Sequence, residues 1–381
     1  MRIAVSCIAK FHAFNLAEQL NKHGVLSRFY TSYAYQRNRV ARLFTSRKDN
    51  EQIEADLIST NTYIAALTRL NGPSFANVEK FDHWVKRSLS RADPPDVFIG
   101  WSGMSLHSIE AARARGVVTI LERGSCHMLT QMNLLQEEYE RNSLPFEQNE
   151  ALLAKELAEY EAADYVSVPS SFALDSFLAN GVAKEKMLLN TYGASNHFRA
   201  SSDTLPNTRT FRILYLGAVA IPKGIMYLLD ALDQLSIDYE VDFVGVIRPE
   251  MQHIVNRRKK SNWVFHGHVN HYALQPLIAQ CHVAVQPSIQ EGLSMVIPQI
   301  LSAGVPVIAT ENTGARSLKL HSQKLKIIPI RDSNAIHEAI MFYFNNETLL
   351  QTIRKEALLE NSVRSWDEYG SDYMDNLSQL L

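Results

Sequence analysis

The sequence predicts an α/β protein built from two doubly wound, Rossmann-like domains that face a common cleft. Three observations lead to this fold class. Short apolar runs alternate with longer helical patterns along both halves of the chain, and this alternation is typical of βαβ units and parallel sheets. It breaks once, over the polar stretch 199–210, and then restarts. The length of 381 residues is enough for two separate cores.

The first predicted domain covers residues 1–198. Helical patterns lie between its strand candidates. In NLAEQLNKHG, for example, Leu16, Ala17 and Leu20 share one helix face, and Gly24 ends the helix. We therefore expect a parallel sheet covered by helices on both faces. Its strand candidates, in chain order, are 2–6, 27–32, 96–101, 117–123, 165–170 and 187–190.

The second predicted domain covers residues 211–364. The Ser-, Thr- and Pro-containing stretch 199–210 is interpreted as the linker between the domains. The tail 365–381 has a helical pattern but follows no strand, so we expect a helix that packs back on the first domain. The strand candidates of the second domain are 211–217, 239–245, 262–267, 283–288, 305–310 and 325–330.

The composition narrows the class of protein. A hydrophobic content of 46%, a charged content of 20% and a net charge of −2 are ordinary for a globular protein and give no reason to expect nucleic-acid binding. The cysteines Cys7, Cys126 and Cys281 lack CxxC spacing and indicate reduced thiols. We find no signal-peptide pattern and no apolar run of membrane-spanning length. We therefore predict a cytoplasmic protein, which argues against a periplasmic binding protein with two α/β lobes.

The stretch LGAVAIPKGIMYLLDAL indicates a phosphate site. A predicted strand ends at Gly217, and Lys223 with Gly224 opens an amphipathic helix. Backbone N–H groups and the helix dipole favour an anion at such a helix start, and the lysine adds a point charge. The loop is neither a Walker A motif nor a GxGxxG motif. An exposed lysine that merely begins a helix is the alternative interpretation.

A second helix start follows in SIQEGLSMVIPQILSAGVPVIAT. We predict that Ser294 caps a helix over 295–302 and that the N–H groups of 293–295 face the same cleft as the first site. Glu291 precedes this turn, and its carboxylate is suited to accept hydrogen bonds from the hydroxyls of a polyol. Gln299 lies about one turn further along the helix. A solvated loop glutamate is the alternative for Glu291.

These two segments, together with VFHGHVNHYALQPLIAQC and EYEAADYVSVPSSFALDSFLANGVAKEKMLLNTYGASNHF, resemble the family-4 glycosyltransferases of GT-B fold. The resemblance is more specific in the second half of the chain, whereas the first 115 residues match in outline. The family hallmark is two glutamates separated by seven residues. The first falls on Glu291 and the second is replaced by Gln299. The family also places an arginine after the strand-ending glycine, where this chain has Ala218.

The resemblance implies roles for individual residues. Glu291 would contact the donor sugar, Lys223 would neutralise the diphosphate, and Gln299 would bond the ribose without supplying charge. Arg123 or Arg248 would replace the cation missing at position 218, so we place Arg123 with Glu291 and Lys223 among the catalytic candidates. The further donor-binding candidates are Gly217, Gly267, His268, Gly292, Leu293, Ser294 and Met295.

The first domain is expected to bind the acceptor. Glu122 or Arg123 stands where relatives often place a histidine that bonds the donor sugar. For several of the acceptor-side candidates an ordinary loop or surface role is the alternative. These candidates are Lys10, His12, Ser125 and His127.

We therefore predict a retaining, hexosyl-type glycosyltransferase that moves a sugar from a nucleotide diphosphate-sugar to a glycan or lipid-linked saccharide in surface polysaccharide biosynthesis. No metal or other cofactor is expected, because Lys223 and backbone amides supply the positive charge and no DxD pair is present. A nucleotide-sugar epimerase of the same fold is one alternative. Another is a sugar-nucleotide-binding protein with weakened catalysis, suggested by Ala218 and Gln299.

The segment 35–48 suggests a membrane contact. It carries five basic residues and no acid, interleaved with apolar and aromatic side chains. Such a segment is suited to rest on anionic lipid at the inner face of a membrane. A solvated basic loop is the alternative interpretation. The five basic residues are Arg37, Arg39, Arg42, Arg47 and Lys48.

Overall fold

The computed structural model describes residues 1–32, 52–194, 198–200, 204–206, 210–320, 323–359 and 363–380. The predicted membrane contact at 35–48 and parts of the predicted linker lie outside these described residues. In the described part of the chain, no helix has both the length and the apolar character that a bilayer-spanning helix needs.

The first domain contains a parallel sheet of seven strands in the order β3-β2-β1-β4-β5-β6-β7. Six of them match the strand candidates of the sequence, whereas β3 has only two residues and was not predicted. The strands are β1 (Ile3–Cys7), β2 (Leu26–Thr31), β3 (Ile58–Ser59), β4 (Val97–Trp101), β5 (Val118–Glu122), β6 (Tyr165–Val168) and β7 (Met187–Leu189).

The second domain contains a parallel sheet of six strands in the order β10-β9-β8-β11-β12-β13. All six correspond to strand candidates of the sequence. The strands are β8 (Phe211–Leu216), β9 (Tyr239–Val244), β10 (Trp263–Gly267), β11 (Val283–Gln286), β12 (Val307–Thr310) and β13 (Leu325–Ile328).

Helices connect the strands of both sheets. In the first part of the chain they are α1 (Ala13–Lys22), α2 (Thr62–Asn71), α3 (Phe75–Arg91), α4 (Leu106–Arg113), α5 (Met128–Arg141), α6 (Glu150–Ala162) and α7 (Ser171–Ala179). In the second part they are α8 (Ile225–Asp233), α9 (Pro249–Arg258), α10 (His271–Ala279), α11 (Val296–Ser302), α12 (Ser333–Phe344), α13 (Glu347–Leu359) and α14 (Trp366–Leu380).

Each sheet has a topological switch point, where the chain reverses the direction in which it adds strands. It lies between β1 and β4 in the first sheet and between β8 and β11 in the second. Strands such as β1 and β4 are buried along their whole length, as expected of a parallel sheet with helices on both faces. The predicted α/β fold with two Rossmann-like domains is confirmed. Ligands of such sheets bind at the carboxyl ends of the strands near the switch point.

The last helix, α14, packs against α1 of the first domain. Gln19 donates a hydrogen bond of 2.9 Å to Asp367, and Lys22 pairs with the same carboxylate at 2.7 Å. Deeper in the domain, the hydroxyl of Tyr373 donates to Glu122 at 2.8 Å. The first domain is therefore completed by residues that follow the second domain in the chain.

Candidate active site

Lys223 and Glu291 meet at the carboxyl edge of the second sheet. They lie in the loops after β8 and β11, the two neighbouring strands at the switch point. The lysine Nζ lies 2.8 Å from Glu291 Oε1, and the Ser288 hydroxyl donates to the same oxygen at 2.7 Å. The lysine is 31% exposed and the glutamate 16%, so the pair is accessible from the cleft.

The two loops are fixed to each other by their backbones. The Ile289 N–H donates to the carbonyl of Pro222 at 3.0 Å. Gly224 has a φ of +66° and lies so close to the Pro287 carbonyl that a Cβ would overlap it. Only glycine fits both constraints, so the backbone beside Lys223 is held firmly against the loop that carries Glu291.

The turn before α11 differs from the predicted cap. The helix begins at Val296, one residue late, and Met295 at its N-cap makes no side-chain capping bond. Ser294 is buried and its N–H donates to the Thr313 carbonyl at 2.9 Å. Ser294 is therefore neither the predicted cap nor a free amide, because the neighbouring strand-end loop supplies an acceptor for it.

Other amides of this turn are available. In the described part of the chain, the N–H groups of Gly292, Leu293 and Met295 have no hydrogen-bond acceptor. Gln299 is half-buried on α11, and its side-chain amide has no partner among the described residues. The turn that follows Glu291 and the first turns of α11 therefore carry donors without a partner among the described residues.

Three of the further donor-binding candidates lie along the same sheet edge. The Gly217 N–H donates to Val244 at 2.9 Å, and the Gly245 N–H donates to Gly267 at 2.8 Å, so the ends of β8, β9 and β10 adjoin. His268 is exposed next to Gly267. This arrangement places the candidates Gly217, Gly267 and His268 beside the loop that carries Lys223.

The structure separates the two arginines proposed to replace the cation missing at Ala218. The N–H of Arg248 donates to the Val219 carbonyl at 3.0 Å, and its side chain is exposed. Arg123 is buried instead, with an ion pair of 3.0 Å to Glu156 and a hydrogen bond of 2.7 Å to Gln131. Arg248 lies next to the phosphate-site loop, whereas the charge of Arg123 is balanced inside the first domain.

His127 has a structural role at the start of α5. Its Nδ1 accepts the Leu129 N–H at 3.2 Å at the start of α5, and its ring packs between Tyr160 and Phe177. It is only 3% exposed. Burial, with the nearby charge of Arg123, lowers the pKa of His127 to about 4. The acceptor contact of His127 therefore stays a prediction, and the alternative of an ordinary loop role matches the contacts seen here.

His12 contacts a buried carboxylate of the first domain. Its Nε2 lies 3.1 Å from Glu122 Oε2, and Tyr373 donates to the other oxygen of that carboxylate. Lys10, two residues earlier, is exposed. Of the two acceptor-side candidates in this loop, His12 is therefore held by Glu122, whereas Lys10 lies exposed at the surface.

A cavity of about 610 Å³ opens at the switch point of the first sheet. The loops after β1, β4 and β5 line it, with His12, Glu122 and Ser125 among the lining residues. Leu293 and Met295 of the second domain close the other side. The cavity therefore lies beside the turn that follows Glu291, and its volume is within the range of about 300–1,000 Å³ usual for ligand pockets.

The turn after Glu291 is also bonded to the first domain. The Ser170 hydroxyl donates to the Gly292 carbonyl at 2.6 Å, and the Gln290 amide donates to Ser125. Gly292 lies against the Gly124 backbone so closely that no Cβ would fit. Ser170 and Gln290 were not predicted, although Gln290 stands directly before Glu291 in the sequence.

One group of side chains in the described residues has the composition of a metal site. Glu79, His83 and His107 of α3 and α4 bring their ligand atoms within 4.8 Å of one another. None of the three lines the cavity, and Glu79 is engaged by Lys155. The cluster therefore has no contact with the groups described above.

Comparisons with known proteins show what the second domain is similar to. Residues 210–346 match the family model described as glycosyl transferases group 1. The chain is 25% identical over 248 residues to the capsular polysaccharide biosynthesis glycosyltransferase CapM of Staphylococcus aureus, covering 58% of this chain and 64% of that protein. It is 32% identical over 136 residues to the putative teichuronic acid biosynthesis glycosyltransferase TuaC of Bacillus subtilis, covering 34% and 32%.

A third relative is an uncharacterised glycosyltransferase, MJ1178, of Methanocaldococcus jannaschii, 23% identical over 155 residues that cover 41% of this chain and 44% of that protein. The matches thus span less than two thirds of the length of each of these curated relatives.

Solved structures resemble the whole chain. Sucrose-phosphate synthase of Thermosynechococcus elongatus superposes with a TM-score of 0.71 at 18% identity, covering 100% of this chain and 99% of that one. HepE of Anabaena in complex with UDP-glucose superposes with a TM-score of 0.68 at 16% identity, covering 100% of both chains. Residues 210–346 are therefore similar to the glycosyl transferases group 1, and the whole chain has the two-domain GT-B fold.

Proposed function

We propose that the protein is a glycosyltransferase that moves a sugar from a nucleotide diphosphate-sugar to a glycan or lipid-linked saccharide. The observation that carries this proposal is the contact between Lys223 and Glu291 at the switch point of the second sheet. A nucleotide-sugar offers an anion and neutral hydroxyls about one sugar ring apart. Lys223 would turn to the diphosphate, and Glu291 would then accept hydrogen bonds from the sugar.

The groups around this pair suit departure of a nucleoside diphosphate. Negative charge develops on the leaving diphosphate, and fixed donors aimed at it lower the barrier. Lys223, the amides of Gly292, Leu293 and Met295, and the nearby Arg248 can supply these donors. We propose that they do so without a metal ion and that Gln299 bonds the ribose. Retention follows in this proposal because the departing phosphate helps to deprotonate the acceptor hydroxyl on the same face.

The cavity in the first domain favours transfer over epimerisation. An epimerase needs no second substrate, whereas a transferase must hold an acceptor against the anomeric carbon of the donor. The cavity is bordered by the turn that follows Glu291, through Leu293 and Met295. The names of CapM and TuaC support an acceptor in surface polysaccharide biosynthesis, and the UDP-glucose complex of HepE supports a nucleotide-sugar donor.

The experiment is a transfer assay with a panel of labelled nucleotide-sugars and membrane-extracted or soluble glycan acceptors. The proposal expects release of the nucleoside diphosphate in step with label appearing in a larger saccharide, with the anomeric configuration of the donor kept. Activity that persists in EDTA would support the metal-free mechanism. Conversion of the labelled donor into an isomer without a larger product would instead identify an epimerase, and tight donor binding without turnover would identify a binding protein.

A further inference from the structure

The hydroxyl of Tyr192 is buried without a hydrogen-bond partner among the described residues. Tyr192 is 6% exposed and lines the cavity of the first domain. A Cβ built on Gly124, another lining residue, would lie 3.2 Å from this hydroxyl, so the polar end of the side chain is at the cavity wall. Buried polar groups in proteins are normally paired, and a ligand in the cavity would supply the missing partner.

Tyr192 belongs to a continuous row of rings. Its ring centroid is 4.1 Å from that of His12 and 6.3 Å from that of Trp366. The His12 ring lies in turn 4.9 Å from that of Trp101. These four rings come from separate segments of the chain and all of them line the cavity. Their faces offer an apolar wall against which the C–H groups of a sugar ring can pack.

The charges in the cavity lining disfavour an anionic ligand. Two carboxylates, those of Glu122 and Glu156, line it together with a single guanidinium, that of Arg123. Arg123 is already paired with Glu156 at 3.0 Å. Among the described residues, the lining includes no lysine. A phosphate or carboxylate placed here would therefore find no unpaired permanent cation and would lie near the Glu122 carboxylate.

The rim of the cavity is apolar. Phe11 lines it and is nevertheless 61% exposed. Its φ of +26° is unusual for a residue other than glycine and has an energetic cost. Pro73 and Val78 continue the lining next to it. A large aromatic side chain at the opening is suited to pack against an apolar group of a bound ligand where that group extends out of the cavity.

We propose that the cavity binds an acceptor whose terminal unit is an uncharged sugar ring attached to an apolar group. The ring packs on the wall of Trp101, His12 and Tyr192, the Tyr192 hydroxyl bonds one sugar hydroxyl, and Glu122 with His12 bonds another. The apolar group passes Phe11. This inference rests on the proposed glycosyltransferase function and specifies its acceptor class.

The first test measures binding of glycosides in the absence of donor. The probes are hexyl glycosides of glucose, galactose, mannose and their N-acetylamino forms, each paired with a charged counterpart that is the uronic acid or the 6-phosphate. Quenching of tryptophan fluorescence reports binding, because Trp101 and Trp366 line the cavity. We expect at least one neutral glycoside to bind at least tenfold more tightly than its charged partners. Equal or tighter binding of a charged partner, or no binding by any probe, would overturn the inference.

The second test assigns the binding to the cavity. Tyr192→Phe removes only the hydroxyl, so we expect the dissociation constant of the best glycoside to rise about 3- to 10-fold while the thermal midpoint and nucleoside diphosphate binding stay unchanged. Tyr369→Phe is the matched control, because its hydroxyl is also buried without a hydrogen-bond partner in the described part of the chain but Tyr369 does not line the cavity. An unchanged constant for Tyr192→Phe, or equal changes in both variants, would contradict the assignment. Donor binding and transfer are measured separately, so the proposed function can stand if this inference fails.

Discussion

Lys223 and Glu291 show how two side chains can prepare a site for a ligand that is anionic at one end and neutral at the other. Their ion pair is partly exposed, and pairs of this kind contribute only about 0.2–1 kcal/mol. Opening the pair therefore costs little, and in the proposed function each partner would gain a stronger interaction when a donor binds. The ion pair keeps both side chains at the carboxyl edge of the sheet in the absence of a ligand.

Lys223→Ala should weaken binding of nucleoside diphosphates. A hydrogen bond to a charged group is worth about 1.5–3 kcal/mol, which corresponds to a loss of roughly 10- to 100-fold measured by calorimetry. Lys259→Ala is the control, because Lys259 is an exposed lysine at the end of α9 and should leave the affinity unchanged. Unaltered affinity in Lys223→Ala would remove the diphosphate role of this residue.

Glu291→Gln should separate sugar recognition from diphosphate binding. The variant keeps the shape of the side chain but releases Lys223 from its ion pair, so nucleoside diphosphate binding should stay equal or become tighter. The kcat/KM of transfer should fall by about 10-fold, since a hydrogen bond from a sugar hydroxyl to a carboxylate is worth about 1–1.5 kcal/mol more than one to a neutral amide. A variant with full transfer activity would contradict the sugar contact.

At the scale of elements, the helix starts and strand ends decide which side chains reach the cleft. His127 begins α5 and is buried there with a pKa of about 4, against an ordinary value of 6.5. The unfolded chain therefore binds a proton between pH 6.5 and 4 that the folded chain does not. His127 therefore makes its full contribution to the free energy of unfolding above pH 6.5. This contribution falls as the pH is lowered from 6.5 and stays constant below about pH 4.

We expect the free energy of unfolding to fall as the pH is lowered from 6.5 to 4, with His127 contributing on the order of 2–3 kcal/mol. His282, buried in the second domain with a pKa of about 4, should add to this decline. His127→Asn keeps a capping acceptor but cannot titrate, so it should flatten the decline seen in urea titrations across this range. His253→Asn changes an exposed histidine of α9 and should not. If the free energy of unfolding fell equally steeply with pH in His127→Asn and in the unaltered protein, the contribution of His127 would be refuted.

The elements also show what the sequence predicts and what it does not. Short apolar runs and the Gly217 and Gly224 positions indicate the strands and loops that carry Lys223 and Glu291. Strand β3 has two residues, too few for a periodic pattern to reveal. Ser294 had the residue type of a helix cap, but the Thr313 carbonyl bonds its N–H instead. Partners distant in the chain decide such outcomes, and a single sequence does not display them.

At the scale of the molecule, the two domains meet through the loop that carries Glu291. Besides the bond from Ser170 to Gly292, Arg331 pairs with Glu138 across the domains at 2.8 Å. Tyr227 of α8 donates to the same carboxylate at 3.2 Å. The turn that follows Glu291 is therefore held by both domains, and under the proposed function an acceptor bound in the first domain would affect how that turn is positioned.

The basic segment 35–48 provides a prediction for the whole molecule. Replacing its five basic residues by glutamine should reduce co-sedimentation with vesicles of anionic lipid, because polybasic segments contribute about 1 kcal/mol per basic residue near such a surface. Vesicles of neutral lipid and a variant with Lys259 and Lys260 replaced serve as controls. Equal sedimentation of the altered and unaltered proteins would dismiss a membrane role for the segment.

The return of α14 to the first domain has a consequence for how the protein is made. A growing polypeptide leaves the ribosome at about 5–20 residues per second, and all of the second domain emerges before Trp366 and Tyr373. Until then, one wall of the cavity in the first domain is missing and the Glu122 carboxylate lacks one of its two partners. Completion of the earlier lobe is thus delayed until synthesis of the later one has ended, so a nascent chain that stalls in between exposes the unfinished face of its first lobe to chaperones and proteases.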